Sequence, residues 1–493
     1  MLFNSLDFLI FFPLVTLAYF LLPHRVRWVW LLAASYYFYM CWNPRYALLM
    51  ALSTGITFVS GLLLQRAGQV ADGEKRRRLR RLWVALSFLS NLAILFFFKY
   101  WGFFWDNLEA LFALGGIALH KPVFDVILPV GISFYTFQAL SYTMDVYRGE
   151  VEAERNFFRY ALFVSFFPQL VAGPIERSKN LLHQVHEEHT FDPLRARDGL
   201  LLMLWGLFQK MVVADRISIV VDQVFDHYRE MPAWAIVLGT VLFAFQIYCD
   251  FGGYSNIAVG AAQVMGFSLM ENFRQPYLSQ SCGEFWRRWH ISLSTWFRDY
   301  LYIPLGGNRK GKGRKYWNNL ITFLASGLWH GASWNYVVWG GLNGVYQVAG
   351  EILRPARERL CAAWKIDRSG RLWQGLRVGI TFALIDFAWL FFRAPSFSAA
   401  VDMLRVLLQG GAAVGEGFTL GLEGAELRLM FLSILVLMAV DLCNNAGVEL
   451  RRGLVRLPLP ARWVCYLLAV YVILIFGIYG PGFSASQFIY FQF

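Results

Sequence analysis

Two histidines hold most of the chemistry that this sequence can offer. His330 lies in Ile321–Gly344, a segment without Asp, Glu, Lys or Arg, so its imidazole is the one side chain there able to exchange a proton near neutral pH. His290 stands forty residues earlier, in Phe285-Trp-Arg-Arg-Trp-His-Ile-Ser-Leu-Ser-Thr-Trp-Phe-Arg-Asp-Tyr300. A neutral imidazole, with a reference pKa of about 6.5, can take a proton from a hydroxyl as a group is transferred. Trp329 and Trp334 are expected to exclude water from His330, and Gly327 and Gly331 to let backbone or ligand approach closely. Hydrogen bonding between helices is the alternative role for both imidazoles. Asp250, an acid in an apolar run beside Gly252 and Gly253, can orient a histidine, bind substrate or cap a helix end.

Around His290, the residues Glu284, Arg287, Arg288 and Asp299 are suited either to a charged network or to an interfacial helix, with Trp286, Trp289 and Trp296 in an aromatic belt. Arg287, Arg288, Trp329, Asn335 and Asp250 are the candidate substrate-binding residues. No Gly-x-Ser-x-Gly elbow, phosphate-binding Gly-x-x-x-x-Gly-Lys loop or His-Glu-x-x-His pair occurs. His183, His186 and His189 recur every three residues in a polar loop and are expected to be a solvated cluster, so no metal site is expected. The six cysteines are scattered without a Cys-x-x-Cys pair, which supports neither a disulfide framework nor zinc.

The elements that must position these groups are membrane helices. Of the 493 residues, 57% are hydrophobic and 16% charged, against about 25% charged in soluble domains. Windows approaching the roughly 20 apolar residues of a bilayer span run over 6–22, 46–64, 82–98, 200–221, 234–248, 376–392, 427–442 and 463–478, with interrupted ones at 28–40, 124–140 and 157–172. An all-α polytopic protein of ten to twelve crossings, with re-entrant and interfacial helices, is the expectation. The first window lacks a basic flank and a cleavage site and reads as a retained helix. The net charge of +12 is not a nucleic-acid signal, because the basic residues collect in short loops: Lys75–Arg81, Arg309–Lys315, Arg354–Arg377 and Arg451–Arg456. The positive-inside rule places these loops in the cytoplasm and the N-terminus outside. From about 129 to 346 the apolar sequence is broken by Gly, Pro and polar residues, which at membrane depth is tolerated only around protein or a water-filled cavity. The chain therefore reads as one integral domain, 1–493, with its catalytic core at about 129–346.

Trp329-His330-Gly331, following a basic loop, resembles the signature of the membrane-bound O-acyltransferase family. Tyr248-Cys-Asp-Phe-Gly-Gly-Tyr-Ser-Asn256, Asn272-Phe-Arg-Gln-Pro-Tyr277, the run from Phe285 to Tyr300 and Ile303-Pro-Leu-Gly-Gly-Asn308 are similar to the bacterial branch that serves alginate O-acetylation and teichoic acid D-alanylation. Leu128–Gln138, Val171–Arg177 and Phe488–Phe493 fit as well. The resemblance implies helices ringed around a central funnel, with His330 as the family's essential histidine and His290 as the second one of this branch. It also implies no bound cofactor: an acyl thioester, acetyl-CoA above all, is the donor substrate. A periplasmic SGNH-hydrolase-like acetyltransferase is the expected partner, and an extracytoplasmic polysaccharide the destination: alginate, or alternatively cellulose, peptidoglycan or teichoic acid. The protein would lie in the inner membrane. Two other readings stay open: a transporter of a polysaccharide or lipid-linked precursor using the histidines as a proton relay, and a non-catalytic scaffold of an acetylation complex.

Overall fold

Apolar runs punctuated by capping residues set the helix boundaries. The computed structural model describes residues 1–122, 124, 128–171, 173–413 and 418–479; the terminal Phe488–Phe493 motif lies outside them. Among the described residues the secondary structure is helical, with no β-strand.

The chain forms two compact units. One comprises Met1–Met203 and Ser255–Met270. It holds α1 (Leu6–Leu21), α2 (His24–Met40), α3 (Pro44–Gly68), α4 (Gly73–Leu95), α5 (Trp101–Ala113), α6 (Ile132–Arg148), α7 (Phe157–Ser165), α8 (Phe167–Leu170), α9 (Ser178–Leu181) and most of α10 (Pro193–Leu207). Ser5, Asn43 and Asp72 accept first-turn N–H groups at the starts of α1, α3 and α4, the usual side-chain cap. A π-turn, Phe96–Tyr100, joins α4 to α5. Buried polar side chains satisfy one another between helices: Tyr160 donates to Thr57 at 2.8 Å, Ser178 to Asp145 at 2.7 Å, and Ser87 and Thr143 share a hydrogen bond of 3.0 Å. Groups without water must find such internal partners.

The second unit comprises Leu204–Tyr254 and Glu271–Phe493. A π-turn, Phe208–Ala214, continues α10 into α11 (Asp215–Asp226). Then come α12 (Ala233–Val264), whose last turns belong to the first unit, α13 (Cys282–Arg288), α14 (Ile291–Phe297), α15 (Gly311–His330) and α16 (Trp334–Ile352). The chain continues through α17 (Arg354–Ala363), α18 (Arg371–Arg393), α19 (Phe397–Leu408), α20 (Gly424–Asn445), α21 (Leu450–Val455) and α22 (Leu459–Phe476). The buried core of this unit is rich in rings, including Trp289, Trp339 and Trp389. Among the described residues, five helical stretches are long and apolar enough to cross a bilayer: Pro44–Gly68, Gly73–Ala113, Ala233–Val264, Arg371–Arg393 and Leu459–Phe476; Leu6–Leu21 is a shorter apolar helix.

Lys315 pairs with Glu351 at 2.6 Å, Arg377 donates to the Gln280 carbonyl at 3.1 Å and Arg288 to Asn445 at 2.8 Å. The first joins the start of α15 to the end of α16, and the other two join the segment around α13 to the start of α18 and the end of α20; Gln347 of α16 donates to the Cys282 carbonyl at 3.0 Å and so connects the two groups. Helices α15 and α16 pack against each other through glycine. A Cβ at Gly340 would overlap the Phe323 carbonyl oxygen, and one at Gly327 the Tyr336 carbonyl oxygen. Gly327 therefore serves the approach of a neighbouring helix. Gly340→Ala is expected to strain this crossing by about 1–3 kcal/mol, read as a lower thermal midpoint in detergent and less monodisperse protein; an unchanged midpoint would show that the crossing can widen.

Candidate active site

The helix pair just described delivers His330, the last residue of α15, to the interior. It is 3% exposed, and its Nδ1 lies 2.7 Å from the Ser326 carbonyl oxygen one turn back. A carbonyl can only accept, so Nδ1 carries the hydrogen and Nε2 the basic lone pair. His290 is fully buried and sits between α13 and α14 at φ 42°, ψ 55°, a left-handed conformation uncommon outside glycine. Strain of this kind, of order 1–3 kcal/mol, persists where the surroundings enforce it and clusters at functional sites.

Asn272 enforces it. Its Oδ1 receives the Ser292 N–H at 3.3 Å, the Ser292 hydroxyl at 3.0 Å and His290 Nδ1 at 3.1 Å, while its carbonyl receives the Ile291 N–H at 3.0 Å. Because a backbone N–H must donate, the Asn272 atom is oxygen, and His290 Nδ1 must be the protonated nitrogen. Both rings thus turn a basic Nε2 away from a fixed anchor. Their centroids are 6.4 Å apart and their planes nearly perpendicular.

Aromatic rings enclose the pair. Trp329 lies 6.2 Å from His290 and 5.0 Å from His330; Trp339 and Phe392 lie 4.8 and 5.7 Å from His330; Phe251 lies 4.7 Å from His290. The expected shield is corrected in one respect: Trp334 is 53% exposed, because it opens α16 at the helix end, and Trp339 takes the place assigned to it. Beside the pair is a cavity of about 420 Å³ whose lining includes Trp286, Arg287, Ile291, Arg298, Asn319 and Ser326. Ser326 anchors His330, and Ile291 follows His290.

The other sequence candidates are placed as follows. Asp250 is in the middle of α12 rather than at a helix end, 2.6 Å from Lys210 Nζ, which is also 2.7 Å from Asp215. All three are buried. The π-turn makes this possible: the Asp215 N–H bonds to the Lys210 carbonyl, an i→i−5 pairing that brings positions 210 and 215 onto one face. Asn335 donates to the Ala394 carbonyl at 2.9 Å, tying α16 to the end of α18. Arg288 pairs with Glu284 at 2.6 Å and Arg298 with Asp299 at 2.7 Å, so the charged residues form two local pairs and leave Arg287 on the cavity wall.

His183, His186 and His189 go separate ways, to Glu187, Glu154 and the Gln184 carbonyl, and no metal-binding cluster occurs among the described residues. Sequence reasoning missed Lys210, Asn272, Trp339, Phe392 and Phe251. Lys210 and Asp215 were findable, since both interrupt the 200–221 apolar window and ionisable groups at membrane depth have a reason to be there.

A helical membrane protein with a histidine pair buried beside a cavity has counterparts among known sequences. Residues 152–368 match the membrane-bound O-acyltransferase family. The chain is 38% identical to the probable alginate O-acetylase AlgI of Pseudomonas putida over 456 residues, 90% of this chain and 89% of that one. It is 33% identical to the peptidoglycan O-acetyltransferase of Helicobacter pylori over 444 residues, covering 82% and 79%. Identity to the teichoic acid D-alanyltransferase of Bacillus subtilis is 27% over 293 residues, covering 56% and 72%. The protein is an integral membrane acyltransferase. It belongs to the membrane-bound O-acyltransferase family.

Lys210→Met leaves two buried carboxylates without their cation and is expected to cost about 3–5 kcal/mol. Asp250→Asn should cost less, because Lys210 keeps Asp215. Thermal unfolding of the solubilised variants measures the difference, and equal midpoints for wild type and Lys210→Met would refute the assignment.

Proposed function

We propose that this protein is an O-acetyltransferase that moves acetyl groups from a cytoplasmic thioester, acetyl-CoA, towards an extracytoplasmic polysaccharide of the alginate type. The observation that carries the proposal is the pair of buried imidazoles, each anchored through Nδ1, at the edge of a cavity large enough for a thioester arm. The relatives named as alginate and peptidoglycan O-acetylating enzymes favour acetyl as the group and a glycan as its destination.

In this reading His330 Nε2 takes the proton of an acceptor hydroxyl as its oxygen attacks the thioester carbonyl. The C–S bond breaks, and the imidazolium returns the proton to the departing thiolate. Holding base, hydroxyl and thioester together supplies much of the acceleration. With its own hydrogen committed to Asn272, His290 receives a hydrogen bond from the acceptor and orients it. The ring of Trp329, Trp339 and Phe392 keeps water from the thioester. Ten to twelve crossings arranged around a funnel, in the inner membrane, would bring the two substrates to this point from opposite sides. The basic helix ends of the second unit would face the cytoplasm, and the N-terminus the outside. A periplasmic SGNH-hydrolase-like acetyltransferase would complete delivery to sugar hydroxyls.

Removal of a positioned base typically costs 10²–10⁴-fold, so His330→Ala is expected to lose at least about a hundredfold in acetyl transfer. The measurement is release of free coenzyme A together with transfer of labelled acetyl, in membranes holding equal amounts of correctly inserted variant and wild type with the partner proteins present. Undiminished transfer by His330→Ala would sink the proposal and favour a scaffold.

A further inference from the structure

Away from the histidines, the α15–α16 pair forms an exposed apolar groove of about 430 Å³. Gly313, Trp317 and Leu320 line it from α15, and Val345, Ala349 and Ile352 from α16. Each set is spaced by four and then three residues, which puts it on one helix face. Trp317, Val345 and Ile352 are all more than half exposed. At Gly313 a Cβ would meet no atom within 4 Å, so this end of the groove is open.

Cations crowd that same end. From Asn308 to Asn319 the sequence holds Arg309, Lys310, Lys312, Arg314 and Lys315, and no acid. Lys315 is committed to Glu351 at 2.6 Å, a pair that links the two helices. The other four are exposed, and among the described residues none of them is in an ion pair. Glu358, the next acid after Glu351, is already paired with Arg354 at 3.0 Å. Lys312 precedes Tyr316 by four residues and Arg314 precedes Trp317 by three, so the free charge continues the apolar face by one turn. An occupant must be apolar along most of its length and anionic at one end. A free anion lacks the first property, and an apolar partner helix the second. Basic clusters at the ends of membrane helices attract anionic headgroups, and exposed tryptophan with extended basic side chains suits the boundary between lipid and water.

We infer that this groove binds an anionic phospholipid, its chains along Trp317, Leu320 and Val345 and its phosphate at Lys312 and Arg314. The site is separate from the acyl-transfer chemistry: Gly313 stands about 25 Å along α15 from His330. A lipid seated there braces the open end of the helix pair that carries this histidine.

The test uses the full chain, delipidated in detergent and titrated with dioleoyl phosphatidylglycerol or dioleoyl phosphatidylcholine, with native mass spectrometry and thermal unfolding as readouts. Phosphatidylglycerol is expected to bind more tightly and to raise the unfolding midpoint. Lys312→Gln combined with Arg314→Gln should weaken phosphatidylglycerol about thirtyfold and phosphatidylcholine little. Lys75→Gln combined with Arg77→Gln removes the same charge from the first unit and should leave binding unchanged. Gly313→Leu has room for its side chain and suits a helix better than glycine; by filling the groove it should weaken both lipids. Glycerol 3-phosphate, a headgroup without chains, should not compete. Equal losses from the two charge-removing pairs would mean diffuse attraction to a basic surface, and competition by glycerol 3-phosphate an anion site without a chain groove. Either result overturns the assignment, as does phosphatidylglycerol binding that Gly313→Leu leaves intact.

Discussion

The Lys210 ammonium, held at 2.7 and 2.6 Å by Asp215 and Asp250, is the interaction on which the interior of the second unit depends. Buried charges are tolerable only when paired with good geometry, and this pairing demands two irregularities. The helix through 210 must widen into a π-turn so that 210 and 215 share a face, and α12 must lie in the one register that brings Asp250 to the same point. That register also presents the next residue, Phe251, edge-on to His290. Position 253 must then be glycine, since a Cβ there would sit 2.7 Å from the Gly206 carbonyl oxygen. One buried lysine thereby fixes the wall against which the histidine rests.

The same logic extends to the imidazoles. A histidine free to rotate, or to exchange tautomers, would offer a base only part of the time. Here each ring has its Nδ1 hydrogen bound to an oxygen that is itself immobile: the Ser326 carbonyl is part of the α15 ladder, and the Asn272 carboxamide is pinned by Ser292. The left-handed backbone at His290 is the cost of turning its ring inward between two short helices. Dispensing with such strain would need a different connection between α13 and α14, and the ring would then leave its place against Phe251 and His330.

Helical architecture was legible wherever apolar length alone decides it. The 46–64 window became α3, 376–392 lies inside α18, and 463–478 overlaps α22. Legibility failed where tertiary partners override the local pattern. The 200–221 window reads as a single span, yet it contains the π-turn that Lys210 requires; 157–172 breaks at Phe166, whose neighbour Phe167 takes its N–H to Ser35. At the site, both histidines and Trp329 were readable because type and context were sufficient. Trp334 was not: proximity in sequence to His330 says nothing about which face of α16 a tryptophan occupies, and Trp339, more than one helical turn further on, is the ring that reaches inward. Asp250 was noticed as a buried acid, but its partner lay in another helix that no local pattern connects to it.

Arg287 shows how charge and apolar surface divide one short helix. Along α13, Phe285 and Trp286 are buried while Arg287 and Arg288 point to polar space, a division that follows from seven residues of helix having only two faces to offer. Arg288 spends its charge on Glu284 one turn back and on Asn445, which ties α13 to the end of α20. Arg287 has no ion-pair partner among the described residues and lies on the wall of the cavity. With Arg288 paired, the same helix both closes the packing and presents Arg287, three residues before His290 in the chain, to the cavity. Charges placed beside the imidazoles themselves would be heavily desolvated, and the division of α13 keeps its two guanidiniums on the polar side.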